Sequence, residues 1–219
     1  HVRCLRNGTT NSFNYFFLLY YRELYNEPNT NGFSANATLY GHIASIIGPA
    51  LHKAVPNSSF VGPASGNTGF ASGWLQEIFE TGILKHFDRL TLHPYRSDSP
   101  EMASNDLKQV QDLVAEYAPF EKTNMPIVNG EWGYGATTLG SYTKQAEMLA
   151  RVLLITTSTL NQPSIWYQVC DPDGGDGQEG IMNCTGTMGN RTFSPLPAFY
   201  AAQTMHKVFR NDGKQPSEP

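Results

Sequence analysis

The stretch ELYNEPNTN, Glu23 to Asn31, places a carboxylate inside an Asn-Glu-Pro turn directly after an aromatic, strand-like run. Further strand-like runs follow it along the chain, and their ends recur about 33 to 38 residues apart, which is the length of a strand–helix unit in parallel α/β folds. The sequence therefore predicts five such units in one domain spanning residues 1–219. The predicted strand ends are Tyr25, Gly62, Tyr95, Glu131 and Val169.

Helical and strand-like periods alternate between these points. Apolar residues at i, i+3 and i+7 predict a helix capped by Asn36, with a buried face made of Tyr40, Ile43, Ile46, Ile47, Ala50, Leu51 and Ala54. The other predicted helices are 70–84, 107–117, 142–160 and 196–209, and the predicted strands are 58–63, 90–95, 126–132 and 164–169. This alternation fits a doubly wound sheet or part of a (β/α)8 barrel. No Gly-rich dinucleotide fingerprint follows a strand, which disfavours a nucleotide-binding doubly wound sheet.

Composition excludes several classes of partner. The chain has 219 residues, 40% of them hydrophobic, and a formal net charge of -4 without runs of Lys or Arg. Such a chain can bury a core as one domain, and it offers no basic surface for nucleic acid or anionic membrane. The most apolar run, Phe13 to Tyr21, is far shorter than the roughly 20 residues of a spanning helix.

Cysteines and glycosylation sequons bear on the compartment. Of the three cysteines, Cys4, Cys170 and Cys184, the last two would close a short loop as a disulfide, and two reduced thiols are an equal alternative. Five N-glycosylation sequons favour a secreted, extracellular glycoprotein. They begin at Asn7, Asn36, Asn57, Asn183 and Asn190.

Polar residues collect at the predicted strand ends, where parallel α/β barrels carry their functional groups. Among them are two carboxylates, Glu27 and Glu131. Glycoside cleavage needs such a pair, because one protonated acid must donate a proton to the leaving-group oxygen while an ionised carboxylate attacks the anomeric carbon or activates water.

Four segments, ELYNEPN, LTLHPY, IVNGEWGY and IWYQVCD, resemble strands four, six, seven and eight of clan A glycoside hydrolases, which are retaining (β/α)8 enzymes. The nearest resemblance is to family 5-like and family 39-like members, and it covers nearly all of the chain after about Tyr20. It implies an α/β fold of the (β/α)8 TIM-barrel type that lacks the N-terminal three strand–helix units. The segment 1–20 does not resemble the missing region and is expected to be an irregular leader.

The resemblance also implies roles for individual residues. Glu27 would be the general acid/base and Glu131 the nucleophile. Asn26 would bind the sugar 2-hydroxyl, and Tyr95 would donate a hydrogen bond to Glu131. His93, two residues from Tyr95 on one strand, would face the same side of the sheet. Trp166 would pack against the sugar ring, and Trp132, with Trp74 and Tyr134, would be either a substrate platform or a core residue.

These expectations lead to two hypotheses. The first is a retaining β-glycosidase acting on an oligo- or polysaccharide, which needs no metal or organic cofactor. The second is a non-catalytic carbohydrate-binding remnant with an incomplete cleft. Strands four and eight would have open edges, and the alternatives are closure of a smaller irregular barrel, pairing with a second copy as a homo-oligomer or with a separate N-terminal half, or a poorly stable product. The acidic stretch 171–179 is expected to be a solvated loop rather than a calcium site, since Gly175 and Asp176 depart from the EF-hand pattern.

Overall fold

The computed structural model describes residues 21–66, 73–160, 163–171, 177–187 and 190–209. Several expectations fall outside these ranges: the leader 1–20 with Cys4 and the Asn7 sequon, the start of the helix predicted at 70–84, and the centre of the acidic loop, 172–176. These stay predictions. Within the described ranges, no helix has both the length and the apolar character needed to cross a membrane.

Two compact units make up the chain, and each is described by itself. The first comprises His1–His93 and Leu107–Val128, and the second comprises Pro94–Asp106 and Asn129–Pro219. Strands and helices alternate along both. The elements are β1 (Tyr21–Glu23), α1 (Ala37–Ala54), β2 (Ser59–Gly66), α2 (Trp74–Glu80), a 3-10 turn (Ile83–Lys85), β3 (Arg89–His93), a 3-10 turn (Pro100–Met102), α3 (Ala103–Tyr117), a 3-10 turn (Phe120–Lys122), β4 (Ile127–Trp132), α4 (Ala136–Leu139), α5 (Tyr142–Thr159), β5 (Ser164–Trp166), β6 (Met182–Thr187), β7 (Asn190–Pro195) and α6 (Pro197–Phe209).

Five strands form a sheet in the order β1-β2-β3-β4-β5. The pairings of β1 with β2, of β2 with β3 and of β4 with β5 are parallel. Each strand follows its neighbour in sequence with a helix between them, as in a (β/α)8 barrel rather than a doubly wound sheet. The barrel-type α/β fold expected from the sequence is therefore confirmed.

Helix α1 begins where the sequence predicts, but it buries a different face. Asn36 caps it by accepting a hydrogen bond from the Leu39 amide at 2.9 Å. The predicted face is right for Tyr40, which is buried, and wrong for Ile46, which is 73% exposed, whereas Ala44 and Gly48 are buried. Small residues face inward because the helix lies close to its neighbours: a Cβ on Gly48 would come within 3.0–3.2 Å of His86 and Phe60.

Strand β3 separates apolar and polar residues onto its two faces in the first unit. Leu90 and Leu92 are buried on one face, while Thr91 and His93, both buried, alternate onto the other. The strand ends at His93, two residues before the predicted end at Tyr95, so strand alternation does not extend to Tyr95. Tyr95 lies two residues beyond the strand, where a loop determines its direction.

The second unit has a core between β4, β5 and α5. Its fully buried members are Ala103, Trp132, Tyr134 and Val152, and Tyr95, Leu139, Met148 and Trp166 pack against them. We call these eight residues the Trp132 cluster. Trp132 and Trp166 are register partners in the parallel pair β4–β5, so both side chains lie on the same face of the sheet.

The chain after β5 is more ordered than the sequence suggests. Strand β5 ends at Trp166 rather than near Val169, and an antiparallel hairpin, β6–β7, follows the acidic loop. Cys170 and Cys184 form a disulfide with a Cα–Cα distance of 5.7 Å. Of the two alternatives for this cysteine pair, the structure therefore contains the bridge.

Candidate functional site

A tight turn after β1 holds Glu27 in the first unit. Its backbone amide donates to the Ala64 carbonyl at 3.2 Å, and its carbonyl accepts from the amides of Thr30 and Asn31 at 3.0 and 2.9 Å. The Asn29 side chain joins the turn to the end of β2, because its amide group donates to the Gly66 carbonyl and its oxygen accepts from the Gly66 amide. The turn is thus fixed to the strand beside it.

The backbone around Glu27 is strained. Glu27 and its partner Ala64 both have positive φ angles, 45° and 55°, which side chains with a Cβ rarely adopt. Residues held in such regions cost on the order of 1–3 kcal/mol each and are concentrated at functional sites. The two residues with positive φ angles are joined by the hydrogen bond from the Glu27 amide to the Ala64 carbonyl.

The Glu27 carboxylate has two polar partners. Its Oε1 lies 3.1 Å from Nδ1 of the buried His93, and its Oε2 accepts from the Thr30 hydroxyl at 3.2 Å. The Glu27 side chain remains 23% exposed, against 2% for His93. A carboxyl group that is oriented by hydrogen bonds and still partly exposed to solvent can exchange a proton with a bound molecule.

Glu23 opens the ELYNEPNTN motif, yet sequence reasoning assigns it no role. Its carboxylate accepts a short hydrogen bond from the Thr91 hydroxyl, and Thr91 in turn accepts from the Ala64 amide at 3.0 Å. Burial raises the pKa of the Tyr40 hydroxyl, and the negative charge of Glu23 raises it further. Glu23 therefore contacts the polar face of β3, which also carries His93.

In the second unit, Glu131 lies near the end of β4 beside Tyr95. The Tyr95 hydroxyl donates to Glu131 Oε1 at 2.8 Å, which is the hydrogen bond that the family resemblance implies. Burial raises the pKa of Tyr95 strongly, with further contributions from the hydrogen bond to Glu131 and from the charges of Glu131, Glu179 and Tyr167. Tyr95 thus stays protonated and remains a donor.

Glu179 is a further carboxylate of this site that the sequence does not indicate. Burial raises its pKa, and the charges of Asp171 and Glu131 raise it further. Its segment is held on both sides, since the Glu179 carbonyl accepts from the Trp166 indole at 3.0 Å and the Gln178 carbonyl accepts from the buried Gln145 side chain at 2.8 Å. Only the fold could reveal it, because its loop has the composition of a solvated acidic stretch.

The expected aromatic platforms are placed differently. Trp132 is fully buried in the Trp132 cluster, so it packs in the core and presents no surface to a sugar. Trp166 lies on the same face and is partly buried against that cluster, as is Tyr95, and its contact with a sugar stays a prediction. Trp74 and Tyr134 are likewise core residues, 4% and 5% exposed. The remaining expected binding residue, Asn26, is exposed in the turn beside Glu27.

Comparisons with solved structures agree with the fold. A family 39 glycoside hydrolase from Bacteroides cellulosilyticus superimposes with a TM-score of 0.70 and 21% identity, over 86% of this chain and 41% of that one. A second family 39 enzyme, from Xanthomonas axonopodis pv. citri, gives a TM-score of 0.62 and 18% identity over 86% of this chain and 40% of that one. A monomeric β-xylosidase from Caulobacter crescentus gives a TM-score of 0.60 and 19% identity, over 84% of this chain and 41% of that one.

At these identities the likeness shows the fold. This chain spans about 40% of the length of the matched structures. The chain matches no protein-family model and no curated protein. The structural neighbours are family 39 and other clan A glycoside hydrolases, as the resemblance of the four sequence segments implies.

Proposed function

We propose that this protein is a retaining β-glycosidase in which Glu131 is the nucleophile and Glu27 the general acid/base. The observation that carries the proposal is the Tyr95–Glu131 hydrogen bond at the end of β4, within a fold shared with family 39 glycoside hydrolases. A carboxylate held by a protonated tyrosine is fixed in direction and favoured in its ionised form, as a nucleophile must be.

The reaction would proceed in two displacements. Glu27 gives its proton to the glycosidic oxygen while a Glu131 oxygen attacks the anomeric carbon, so the bond to the leaving group breaks as the ester to Glu131 forms. Glu27, now ionised, then takes a proton from a water molecule that attacks the same carbon and releases Glu131. His93 and Thr30 hold Glu27 in both steps, and Asn26 binds the sugar 2-hydroxyl, a contact that strengthens in the transition state.

The substrate class that we propose is a β-linked oligo- or polysaccharide. Neighbours with this fold include β-xylosidases, a glucosidase and an agarase, so xylosides and glucosides are the first compounds to test. We further propose that the protein is secreted. The Cys170–Cys184 disulfide supports an oxidising compartment, and the sequon residues Asn57, Asn183 and Asn190 are exposed and open to glycosylation.

A second candidate function is carbohydrate binding without hydrolysis. The hydrogen bonds that orient Glu27 and Glu131 would position both carboxylates for contacts with sugar hydroxyls even without cleavage. The two candidates differ in one observable, since a binding protein would retain oligosaccharides without forming a covalent intermediate.

Trapping of the glycosyl-enzyme tests the proposal. The chain would be incubated with activated 2-deoxy-2-fluoro xylosides and glucosides, which slow the second displacement more than the first, and its intact mass measured before peptide mapping. We expect one adduct, on Glu131, and none in the matched variant Glu131→Gln. A folded sample that forms no adduct, or an adduct on another residue, would overturn the proposal.

A further inference from the structure

Asn36 caps helix α1 and also belongs to a glycosylation sequon, Asn36-Ala37-Thr38. The middle residue of the sequon, Ala37, is buried, whereas Asn36 and Thr38 on either side of it are exposed. The asparagine that would accept a glycan and the threonine that the acceptor sequence requires therefore both reach solvent.

The helix cap uses only one of the two polar atoms of the Asn36 side chain. Oδ1 accepts a hydrogen bond from the Leu39 amide at 2.9 Å. A backbone N–H can only donate, so the atom that faces Leu39 is the carbonyl oxygen and the remaining atom is the amide nitrogen, Nδ2. Among the residues that the structure describes, Nδ2 of Asn36 has no hydrogen-bond partner. The cap thus leaves open the atom that carries the sugar in an N-linked glycan.

Asn29, in the same unit, shows the opposite arrangement. It is buried, its Nδ2 donates to the Gly66 carbonyl at 3.3 Å, and its Oδ1 accepts from the Gly66 amide at 2.9 Å. A substituent on Nδ2 of Asn29 would disturb that pair of hydrogen bonds. The backbone amide of Asn36, by contrast, donates to the Phe33 carbonyl at 3.0 Å, so the turn before α1 is held without any contribution from Nδ2.

We propose that Asn36 carries an N-linked glycan on Nδ2 while its Oδ1 continues to cap α1. The inference rests on the proposed secretion, which brings the chain into contact with a lipid-linked oligosaccharide donor. In the transfer, Nδ2 loses one hydrogen and bonds to C1 of the first sugar. The bond from C1 to the lipid diphosphate breaks, the lipid diphosphate keeps the electron pair, and the proton passes to solvent. The product is still a neutral amide whose oxygen can accept a hydrogen bond.

Four variants separate the sequon from the cap. Asn36→Asp keeps an oxygen for the cap but lacks the acceptor nitrogen, and Thr38→Ala keeps Asn36 but lacks the hydroxyl of the sequon. Thr38→Ser is the matched control, because it retains that hydroxyl. Asn36→Ala removes both the cap and the acceptor.

The full chain and these variants would be directed through the secretory pathway of a eukaryotic host by an added signal sequence. An endoglycosidase that leaves one N-acetylglucosamine on each occupied asparagine would then trim all samples. Peptide mapping by mass spectrometry would report occupancy of Asn36, and denaturant unfolding of the same samples would report the cap. Any other sequon of the chain is the same in every sample, so the samples differ only at Asn36 and Thr38.

We expect one N-acetylglucosamine on Asn36 in the wild type and in Thr38→Ser, and none at this position in the other variants. Asn36→Ala should raise the equilibrium constant for unfolding about fivefold or more, because the cap is lost. Asn36→Asp and Thr38→Ala should raise it by no more than about twofold over the glycosylated wild type.

Two results would overturn the inference. The first is an unmodified Asn36 in the folded wild type. The second is a glycosylated wild type that unfolds as readily as Asn36→Ala, since the glycan would then have displaced the cap. Neither measurement uses a glycoside, so a failure here leaves the adduct on Glu131 to be tested on its own, and a missing adduct leaves the assignment of Asn36 standing.

Discussion

Removal of one hydroxyl group, in Tyr95→Phe, isolates the interaction that orients Glu131. The ring would keep its place against the Trp132 cluster, so the change removes only the donor 2.8 Å from Glu131 Oε1. A hydrogen bond to a charged group contributes about 1.5–3 kcal/mol, and about 1.4 kcal/mol corresponds to tenfold in rate. We therefore expect formation of the 2-fluoroglycosyl adduct to slow by about 10- to 150-fold.

Tyr134→Phe provides a matched control in the same unit. The Tyr134 hydroxyl donates to the Asp98 carbonyl at 2.9 Å, and burial raises the pKa of Tyr134 as it does that of Tyr95. Its loss removes a hydrogen bond to a neutral acceptor, with a cost of about 0.5–1.5 kcal/mol in stability and no effect at Glu131. The rate of adduct formation would be followed by intact mass at several inhibitor concentrations. Equal rates for the two variants would refute the reasoning, because they would show that the Tyr95 hydroxyl does not act through Glu131.

Three further predictions concern stability. Glu179→Gln should raise the melting temperature at neutral pH, because the raised pKa of Glu179 means that its ionisation opposes folding. The gain in melting temperature should vanish as the pH falls below the pKa of an unfolded glutamate. A constant gain at all pH values would contradict this. The Cys170–Cys184 disulfide closes a loop with a sequence separation of 14, so the double variant Cys170→Ser/Cys184→Ser should lose about 3 kcal/mol of its free energy of unfolding, measured with denaturant. An unchanged midpoint would show that the disulfide does not stabilise the fold. Asp88→Ala should lower the free energy of unfolding by about 1–3 kcal/mol in the same assay. The reason is that the Asp88 carboxylate accepts hydrogen bonds from the Phe60 amide at 2.7 Å and from the His52 ring at 2.8 Å. A loss under about 0.5 kcal/mol would refute that role.

The sequence predicts the order of elements well because each carries local signals. The Asn36 cap and the NEP turn at Glu27 are short-range features, and the molecule has both at the expected place. The strand ends differ from the predicted ones by up to four residues. Polar strand ends collect functional groups in any parallel α/β fold, so Glu27 and Glu131 stand out from their positions in the sequence alone. The alternation of strands and helices thus predicts a parallel α/β fold, and the resemblance of four segments to clan A glycoside hydrolases selects the barrel type.

Side-chain direction is less predictable, because it depends on distances between elements. Periodicity favours Ile46 for the buried face of α1, but the close approach of that helix to Phe60 leaves room only for residues such as Gly48. The resemblance to clan A enzymes implies that Trp166 packs against the sugar, and this stays a prediction. Its register with Trp132 is set by the pairing of β4 with β5, which composition alone does not determine.

The residues after β5 are the hardest to predict. Glu179 lies in a Gly-rich acidic stretch whose composition is that of a solvated loop, yet side chains from β5 and α5 fix its backbone. The hydrogen bonds from Trp166 and Gln145 join residues 13 and 33 positions apart, and such contacts leave no local pattern in a single sequence. The β6–β7 hairpin is a local pairing that the sequence interpretation misses, and the Cys170–Cys184 disulfide is one of its two alternatives.

The roles of the two carboxylates can be tested most directly with azide and an activated β-glycoside, by assigning the anomeric configuration of the product by NMR. In Glu131→Ala, azide would occupy the space left by the nucleophile and give the α-glycosyl azide. In Glu27→Ala, azide would attack the glycosyl-enzyme from the opposite side and give the β-glycosyl azide. The proposed roles predict this pair of products, and the reverse pair, or the same product from both variants, would contradict them.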